Sequence, residues 1–337
     1  MREALFYEKL SDKTVHCHLC AHECMIKDNK SGICGVRVNF KGTLFTYSYG
    51  NVVAANVDPI EKKPLYHFLP GSKSFSVASA GCNFKCSFCQ NWEISQRQSQ
   101  GSASLAEDEF APEDIVEEAL RNDCQSISYT YTEPTVFFEY AYDTARLAKS
   151  RSLHNVFVTN GYMSQDCLKE ISPYLDAANV DLKFFQDSSY EKYCSASLSP
   201  VLETIKLMKE LGVWVEITTL VIPGVNDSKD ELKALAGFIS GLDRNIPWHV
   251  SRFHPAYKLN EYPSTPEEIL REARGIGTEA GLNFVYAGNV YGWGSDTLCP
   301  SCAKPLIKRD GFKIKEYNVK VGKCPYCQSV IPGAFPY

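Results

Sequence analysis

Three cysteines in segment 81–91 have a spacing that suits an iron–sulfur cluster. Cys82, Cys86 and Cys89 follow the pattern C-x3-C-x2-C, and no fourth cysteine lies close behind them. A [4Fe–4S] cluster needs four ligands, which are normally thiolates. The loop therefore predicts a cluster with one iron that is free to bind another molecule. The alternative interpretation is a zinc site whose fourth ligand comes from a distant part of the chain.

Two further groups of cysteines have ligand-like spacing, so that 11 of the 14 cysteines fall into three groups. Paired C-x2-C motifs are typical of a zinc ribbon with four cysteine ligands or a rubredoxin-like iron site. Their members are Cys299, Cys302, Cys324 and Cys327. A second set of four thiols suits zinc or another iron–sulfur cluster, and we favour zinc because a small lobe needs a metal to stabilise it. The members of this N-terminal set are Cys17, Cys20, Cys24 and Cys34. The remaining cysteines, Cys124, Cys167 and Cys194, are predicted to be buried core residues.

The chain from residue 74 onward alternates strand patterns with helix patterns. The predicted strands are 75–80, 126–131, 156–159, 178–182, 213–221, 249–253 and 283–287. Helix signals separate them, and Ser228 with Glu231 and Thr265 with Glu268 predict capping boxes. Regular alternation of this kind predicts a parallel sheet covered by helices, either doubly wound or closed into a full or partial (β/α) barrel.

Polar residues at the strand ends favour the barrel. Each predicted strand ends in, or is followed by, a group that can bind or react. These residues are Cys82, Glu133, Asn160, Asp181, Lys183, Thr218, Thr219, His254 and Asn289. Barrel enzymes build their sites from the ends of several strands, whereas a doubly wound sheet binds its ligand at one switch point. We therefore predict an α/β protein with a partial (β/α)6–7 barrel of the TIM type.

The outer cysteine groups predict two appended domains. We expect a small Cys-rich β lobe over 1–70, the partial barrel over 71–290 and a C-terminal four-cysteine metal ribbon over 291–337. The lobe should contain short strands around Val52 and Val53, and residues 58–64 should connect it to the barrel. The net charge of −5 argues against nucleic acid as a partner, although the ribbon is locally basic. With no signal-peptide pattern and no long apolar run, we expect a cytoplasmic protein without membrane contact.

Segment 81–91, GCNFKCSFCQN, resembles the signature of the radical S-adenosylmethionine (SAM) superfamily, and closely its branch related to pyruvate formate-lyase-activating enzyme. The resemblance implies an activating-enzyme-like oxidoreductase in which Cys82, Cys86 and Cys89 hold a [4Fe–4S] cluster and SAM binds the fourth iron. An electron from the cluster then cleaves SAM to methionine and a 5′-deoxyadenosyl radical, which abstracts hydrogen from a substrate that the sequence does not identify. A ferredoxin or flavodoxin is the expected reductant, and a protein or peptide is a candidate substrate.

The resemblance also assigns cofactor-binding roles at the strand ends. Glu133 takes the place of an acid that contacts the methionyl amine, Asp181 and Lys183 match an Asp-x-Lys motif that contacts the methionyl group, and His254 matches a histidine near the cofactor. The alternatives are a carboxylate that opens a helix for Glu133, a buried ion pair for Asp181 and Lys183, and a structural role for His254. No residue is assigned a catalytic role on the substrate itself.

The complete arrangement, including segment 58–68 (DPIEKKPLYHF), is similar to the radical SAM group of the AmmeMemoRadiSam system, which has no firmly assigned substrate. Two other functions remain open. One is a glycyl-radical-enzyme activase, which the activating-enzyme motif suggests. The other is a zinc-ribbon binding protein on an inactive barrel, which SAM-dependent formation of 5′-deoxyadenosine would exclude.

Overall fold

Short antiparallel strands build the N-terminal part of the protein, as seen in a computed structural model that describes residues 1–96 and 110–335. The strands are β1 (Arg2–Glu3), β2 (Tyr7–Lys9), β3 (Val15–Cys17), β4 (Cys24–Ile26), β5 (Arg37–Phe40) and β6 (Thr43–Thr46). They form two sheets with the strand orders β1-β6-β5 and β2-β3-β4. The second sheet pairs Cys17 with Cys24 in register, so it brings two N-terminal cysteines together.

The main sheet contains the strands predicted for the barrel. Its strands are β7 (Val52–Pro59), β8 (Lys73–Ser79), β9 (Ser126–Tyr129), β10 (His154–Thr159), β11 (Ala177–Asp181), β12 (Trp214–Val221), β13 (Trp248–Arg252) and β14 (Val285–Gly288). Strands β8 to β14 pair in parallel in their chain order, and β7 pairs antiparallel with β8. A doubly wound sheet would reverse its order at a switch point. The uninterrupted order therefore confirms the barrel type.

Each of the seven predicted strands is present, with ends within two residues of those predicted. They were recognisable because parallel strands are buried on both faces and read as apolar runs. The structure adds β7, whose residues the sequence assigned to the N-terminal lobe and which instead extends the main sheet. In the described residues β7 and β14 are its unpaired edges, which makes the barrel partial. The domain boundaries at residues 70 and 290 remain a prediction.

Helices connect the parallel strands. They are α1 (Trp92–Ser95), α2 (Pro112–Arg121), α3 (Phe138–Ser150), α4 (Gln165–Ile171), α5 (Asp187–Cys194), α6 (Ser199–Glu210), α7 (Lys229–Leu242) and α8 (Glu267–Glu279). The Ser228 hydroxyl accepts a bond from the Glu231 N–H at 3.3 Å, so the serine half of this predicted box is present, whereas the Glu231 carboxylate accepts from the N–H of Phe185 instead. The cap at Thr265 was wrong, because its hydroxyl donates to the carbonyl of Val221 and accepts from the N–H of Phe253. No helix in the described residues is long and apolar enough to cross a lipid bilayer.

The C-terminal ribbon packs on the barrel floor, by which we mean the amino ends of the barrel strands. Its strands are β15 (Thr297–Leu298), β16 (Pro305–Asp310) and β17 (Lys313–Tyr317), paired antiparallel in the order β15-β16-β17. One core joins ribbon and floor, and it contains Tyr66, Phe284, Tyr286, Cys299, Leu306, Ile307, Val319, Cys324 and Ile331. Because this core is shared, the ribbon is fixed to the barrel.

A buried carboxylate holds the floor together. Glu216 of β12 is 0% exposed and accepts bonds from the backbone N–H groups of Tyr66 and His67 at 3.0 and 2.8 Å. It also accepts from Trp214 Nε1 at 3.1 Å and His249 Nε2 at 2.7 Å. Burial alone would raise the pKa of Glu216, but the bond and the charge of His249 outweigh it and lower that pKa. The carboxylate therefore stays ionised inside the protein.

Arg309 of β16 makes the matching link from the ribbon. Its side chain is 0% exposed, and Nη2 donates to the carbonyl of Tyr66 at 2.9 Å. Nη1 donates to the carbonyl of Ser295 and the hydroxyl of Thr297 at 2.9 and 2.8 Å. The guanidinium also lies 4.2 Å from the centre of the Tyr66 ring. Tyr66 is therefore held by Glu216 through its N–H and by Arg309 through its carbonyl.

Replacement of Glu216 with alanine should lower the free energy of unfolding by about 3–5 kcal/mol, because His249 and two backbone N–H groups lose their buried acceptor. The measurement is the shift in the midpoint of anaerobic urea unfolding. Glu210→Ala, on the exposed end of α6, is the control and should stay within about 0.5 kcal/mol of the parent. Equal midpoints for the two variants would show that the floor does not depend on Glu216.

Candidate active site and metal centres

A cavity of about 550 Å³ opens at the carboxyl ends of the parallel strands. This volume lies within the range of about 300–1,000 Å³ that is usual for small-molecule sites. Cys82, Cys86 and Cys89 all line it. The strand-end residues that also line it are Glu133, Asn160, Asp181, Lys183, Thr218 and Asn289. Thr219 and His254 lie outside its wall. The structure thus brings together most of the residues that the sequence singled out.

The N-terminal lobe holds one part of the cysteine loop. Gly81 has a φ of +95°, and a Cβ atom there would lie 2.7 Å from Val36 Cγ1 and 3.0 Å from the carbonyl oxygen of Cys34. A larger residue is excluded both by this conformation and by this contact. His22 Nε2 lies 2.8 Å from the carbonyl oxygen of Asn83. The loop that carries Cys82 is therefore packed directly against the N-terminal cysteine lobe.

Cys194, the last residue of α5, contacts the loop through its backbone and its thiol. Its carbonyl accepts from the N–H of Lys85 at 2.8 Å, and its sulfur lies 3.6 Å from Cys86 Sγ. The bond to Cys194 lowers the pKa of the Cys86 thiol despite burial, with help from the Lys183 ammonium. Once Cys86 binds iron as a thiolate it can only accept in this pair, and the thiol of Cys194 is then the donor. Sequence analysis missed this contact because it joins residues 108 positions apart and no local motif marks it.

Glu133 lines the cavity, but protein donors occupy much of its carboxylate. Oε1 accepts from the N–H of Thr135 at 3.1 Å, from its hydroxyl at 2.6 Å and from the hydroxyl of Thr159 at 2.7 Å. Oε2 accepts from the N–H of Asn160 at 2.8 Å. The side chain caps the 3₁₀ helix Pro134–Phe137, as the alternative interpretation predicted. A carboxylate accepts about four bonds and this one already accepts four, so a ligand could reach it only at Oε2, which takes a single protein bond.

Asp181 and Lys183 form an ion pair in the cavity wall. Lys183 Nζ lies 2.7 Å from Asp181 Oδ2, and the two side chains are 14% and 35% exposed, the lysine being the more buried. Burial would lower the pKa of Lys183, but the negative charges of Asp181 and Cys86 raise it well above its usual value. The pair presents an ammonium beside a carboxylate. These are the two charges that complement the carboxylate and ammonium of an amino acid.

A buried hydroxyl in the wall lacks a partner. Thr218 Oγ1 lines the cavity and has no hydrogen-bond partner among the described residues. Buried polar atoms are normally bonded, so this atom marks a place for a polar ligand. Three thiols on one loop, the charges of Asp181 and Lys183 and this free hydroxyl together fit a [4Fe–4S] cluster with a bound SAM.

His254 lies apart from these groups. Its imidazole is exposed, and Nδ1 lies 3.3 Å from the hydroxyl of Ser264. It does not line the cavity. A contact between His254 and the cofactor therefore remains a prediction from the resemblance.

The connector predicted at 58–64 supplies polar groups to the cavity. Lys62 and Lys63 line it, and their ammonium groups lie 2.8 and 2.7 Å from the Asp58 carboxylate. Tyr131, also in the wall, donates to the same carboxylate and has a φ of +65°, which is strained for a bulky residue. Burial lowers the pKa of Lys63 to about 8 despite its bond to Asp58. Sequence analysis missed this group because tertiary contacts create it.

The ribbon cysteines are gathered as a single metal ion requires. Their four sulfurs lie within 4.8 Å of one another, with 3.6 Å between Cys299 and Cys327 and 3.7 Å between Cys302 and Cys324. Four thiolates at about 2.3 Å from one tetrahedral ion are about 3.8 Å apart. Hydrogen bonds from Ser329 lower the pKa of Cys327 to about 6. The site has the geometry of one four-coordinate metal.

The N-terminal cysteines converge on a small cavity of their own. Cys17, Cys20, Cys24 and Cys34 line it together with apolar side chains and Arg37. Burial raises the pKa values of the Cys17, Cys20 and Cys24 thiols. These sulfurs are more widely spaced than those of the ribbon, because no three of them lie within 4.8 Å of one another.

Comparison with known proteins places this site in a family. The model of the radical SAM superfamily matches residues 76–236. An uncharacterized protein of Methanocaldococcus jannaschii is 47% identical over 331 residues, which cover 97% of this chain and 98% of that protein. The pyruvate formate-lyase-activating enzyme of Clostridium pasteurianum is 24% identical over 206 residues, 57% of this chain and 81% of that enzyme. A radical SAM methyltransferase from Sphaerobacter thermophilus shares the fold, with a TM-score of 0.52 and 16% identity over 71% of each chain.

The chain belongs to the radical SAM superfamily, in the branch that resembles pyruvate formate-lyase-activating enzyme. It is therefore an enzyme that generates a radical from SAM. When bound by Cys82, Cys86 and Cys89, the [4Fe–4S] cluster supplies the electron for reductive cleavage of SAM to the 5′-deoxyadenosyl radical. The chain's own residues place the three thiols on one loop and line the cavity around them with the polar strand-end residues.

Replacement of Cys194 with valine should make the reduction potential of the SAM-binding cluster more negative. The reason is that hydrogen bonds to cluster sulfurs stabilise the more negative, reduced state. The measurement is a redox titration followed by electron paramagnetic resonance, using the signal that changes when SAM is added.

Cys124→Ala is the control, since Cys124 is a buried cysteine that contacts none of the cluster ligands in the described residues. Its potential should match that of the parent. An unchanged potential in Cys194→Val would mean that the thiol of Cys194 has only a packing role.

Proposed function

We propose that this radical SAM enzyme holds the methionyl part of SAM with Asp181, Lys183 and Glu133 and takes hydrogen from an anionic substrate at the end of the cavity near Lys63. The observation that carries the proposal is that one cavity joins these residues to the three loop thiols. The charges of Lys183 and Asp181 suit the carboxylate and ammonium of the methionyl group, and Oε2 of Glu133, which accepts a single protein bond, is the oxygen that a donor of the ligand would share. His254 is not needed for this arrangement.

The charge at the other end of the cavity supports the anionic substrate. Lys62 and Lys63 share a single carboxylate, Asp58, so this end has an excess of positive charge. Tyr131 and Phe312 add aromatic surface next to it. A carboxylate or phosphate on the substrate would bind the lysines and leave a neighbouring C–H bond inside the cavity. An acidic peptide and a small organic acid both meet this description.

A glycyl-radical-enzyme activase is a narrower form of the same proposal. The likeness to pyruvate formate-lyase-activating enzyme and to a putative glycyl-radical enzyme activating enzyme of M. jannaschii supports it. In that role the hydrogen atom would come from a glycine of a partner protein. Incubation with SAM, a reductant and glycyl-radical enzymes of the same organism should then give a glycine-centred radical, and its absence from all of them would exclude this form.

The proposal includes a protein reductant and a cytoplasmic location. Reductive cleavage consumes one electron in each reaction, so a low-potential donor such as a ferredoxin or flavodoxin is needed. The cytoplasm suits the cysteines because thiols that bind iron must remain reduced.

Anaerobically reduced protein should form 5′-deoxyadenosine from SAM, and Cys86→Ala should abolish this activity because the cluster loses a ligand. Asp181→Asn should weaken SAM binding at least tenfold, about 1.4 kcal/mol, since a half-buried charge-assisted bond is lost. The measurements are product analysis and SAM titration of the cluster spectrum. Asp166→Asn makes the same change at a site that is 85% exposed and should leave both unchanged. Full activity in Cys86→Ala would refute the assignment of the site.

We also propose that the ribbon site holds zinc as a structural ion, because four thiolates around one metal leave no position open for a substrate. The double variant Cys302→Ser, Cys327→Ser should lose one zinc per chain, keep its iron and unfold at a lower temperature, since the ribbon shares a core with the barrel floor. Metal analysis and thermal unfolding test this. Ser301→Ala, in the same knuckle, should keep the metal. Iron in the ribbon of the parent protein would contradict the proposal.

A further inference from the structure

The site formed by Cys17, Cys20, Cys24 and Cys34 has no part in the chemistry described so far. From its geometry we propose that it holds an iron–sulfur cluster and that this cluster passes electrons to the one held by the loop cysteines. The presence of this cluster does not depend on the proposed function, whereas the electron transfer rests on the proposed function.

The spacing of the sulfurs distinguishes a cluster from a single zinc ion. Around one ion all four thiolates bind the same atom and lie close together, as they do in the ribbon. In a cluster the thiolates bind different irons and are held further apart. The family assigns the loop cysteines to a cluster. Their three sulfurs are also widely spaced, since they do not all lie within 4.8 Å of one another. The N-terminal cysteines share this wider spacing.

A buried guanidinium group offers a free N–H donor to such a cluster. Arg37 lines the N-terminal cavity and is 2% exposed. Its Nη1 pairs with Glu139 at 3.0 Å, whereas its Nε has no hydrogen-bond partner among the described residues. The negative charges of Cys17 and Cys34 contribute to the raised pKa of the guanidinium, after burial and Glu139. An unpaired N–H donor beside thiolates is the arrangement that binds and tunes cluster sulfurs.

The N-terminal site touches the loop that carries the first cluster. The carbonyl of Cys34 lies against Gly81, the residue directly before Cys82. His22, between two of the N-terminal cysteines in sequence, lies 2.8 Å from the carbonyl oxygen of Asn83, the residue directly after Cys82. Two direct contacts therefore join the two sites, and both contacts are at or beside a ligand. The two cysteine sites are therefore direct neighbours, as electron transfer between two clusters requires.

The transfer is a simple one-electron exchange. A ferredoxin or flavodoxin gives one electron to the N-terminal cluster, which is reduced and then reoxidised as the same electron moves to the loop cluster. No bond forms or breaks, and no proton is taken up. The donor protein supplies every electron that SAM cleavage consumes.

Metal analysis of the anaerobically reconstituted parent protein tests the cluster first. An N-terminal [2Fe–2S] or [4Fe–4S] cluster gives about six or eight irons per chain with matching sulfide, because the loop contributes about four. Zinc should then be about one per chain, from the ribbon. About four irons and two zincs would overturn the proposal. This count does not depend on SAM cleavage, so failure of the proposed function would be seen separately.

The double variant Cys86→Ala, Cys89→Ala isolates the N-terminal site without altering its lobe. It should keep the remaining two or four irons and show, after reduction, a paramagnetic signal that SAM does not change. A variant without iron would overturn the proposal. Cys167→Ala is the control, since Cys167 is buried but does not line the N-terminal cavity, and its iron content should equal that of the parent.

Electron transfer is tested by the magnetic interaction between the clusters. The fully reduced parent should show a split or broadened spectrum that differs from the sum of the two isolated clusters. Cys20→Ala with Cys34→Ala should remove the splitting and slow reduction of the loop cluster by flavodoxin at least tenfold, while reduction by titanium(III) citrate stays the same. A parent spectrum equal to the sum, or an unchanged rate with flavodoxin, would overturn the relay.

Discussion

The ionised carboxylate of Glu216 is the interaction on which the rest of the structure depends. It lies inside the barrel floor, where an isolated charge would be costly, and four donors from three parts of the chain compensate for its burial. One of those parts, the backbone at Tyr66, is also the anchor for Arg309 of the ribbon. Since the same segment begins at Lys62 and Lys63, which line the cavity, the floor also fixes the position of two charged groups in the cavity wall.

The cysteine loop is likewise held in place by residues outside the site. Its first residue, Gly81, packs on the N-terminal lobe, and Cys194 of α5 contacts its second cysteine ligand, Cys86. Neither support belongs to the strand that precedes the loop. The loop is therefore positioned from two sides by elements that are distant from it in the sequence. The ion pair of Asp181 and Lys183 lines the same cavity as the loop thiols and places an ammonium and a carboxylate beside them.

Much of this arrangement could be predicted from the sequence, and the exceptions have a common cause. The parallel strands were found because burial on both faces leaves a continuous apolar run, and Asp181 was placed correctly because the carboxyl ends of such strands meet at one edge. Strand β7 was misassigned because its middle residues are exposed on an edge and its partner follows a connector. The contact of Cys194 and the charges at Asp58 depend on partners far along the chain. The residues next to each group in the sequence therefore do not indicate these contacts.

Phe312 lies at the tip of the hairpin between β16 and β17, and it lines the cavity although the barrel precedes it in the chain. During synthesis the whole parallel sheet emerges before this hairpin does. A nascent barrel can therefore acquire iron while one wall of its cavity is still missing and open to water. Docking of the ribbon supplies this part of the wall, so the order of translation delays completion of the cavity until the hairpin of the ribbon has folded.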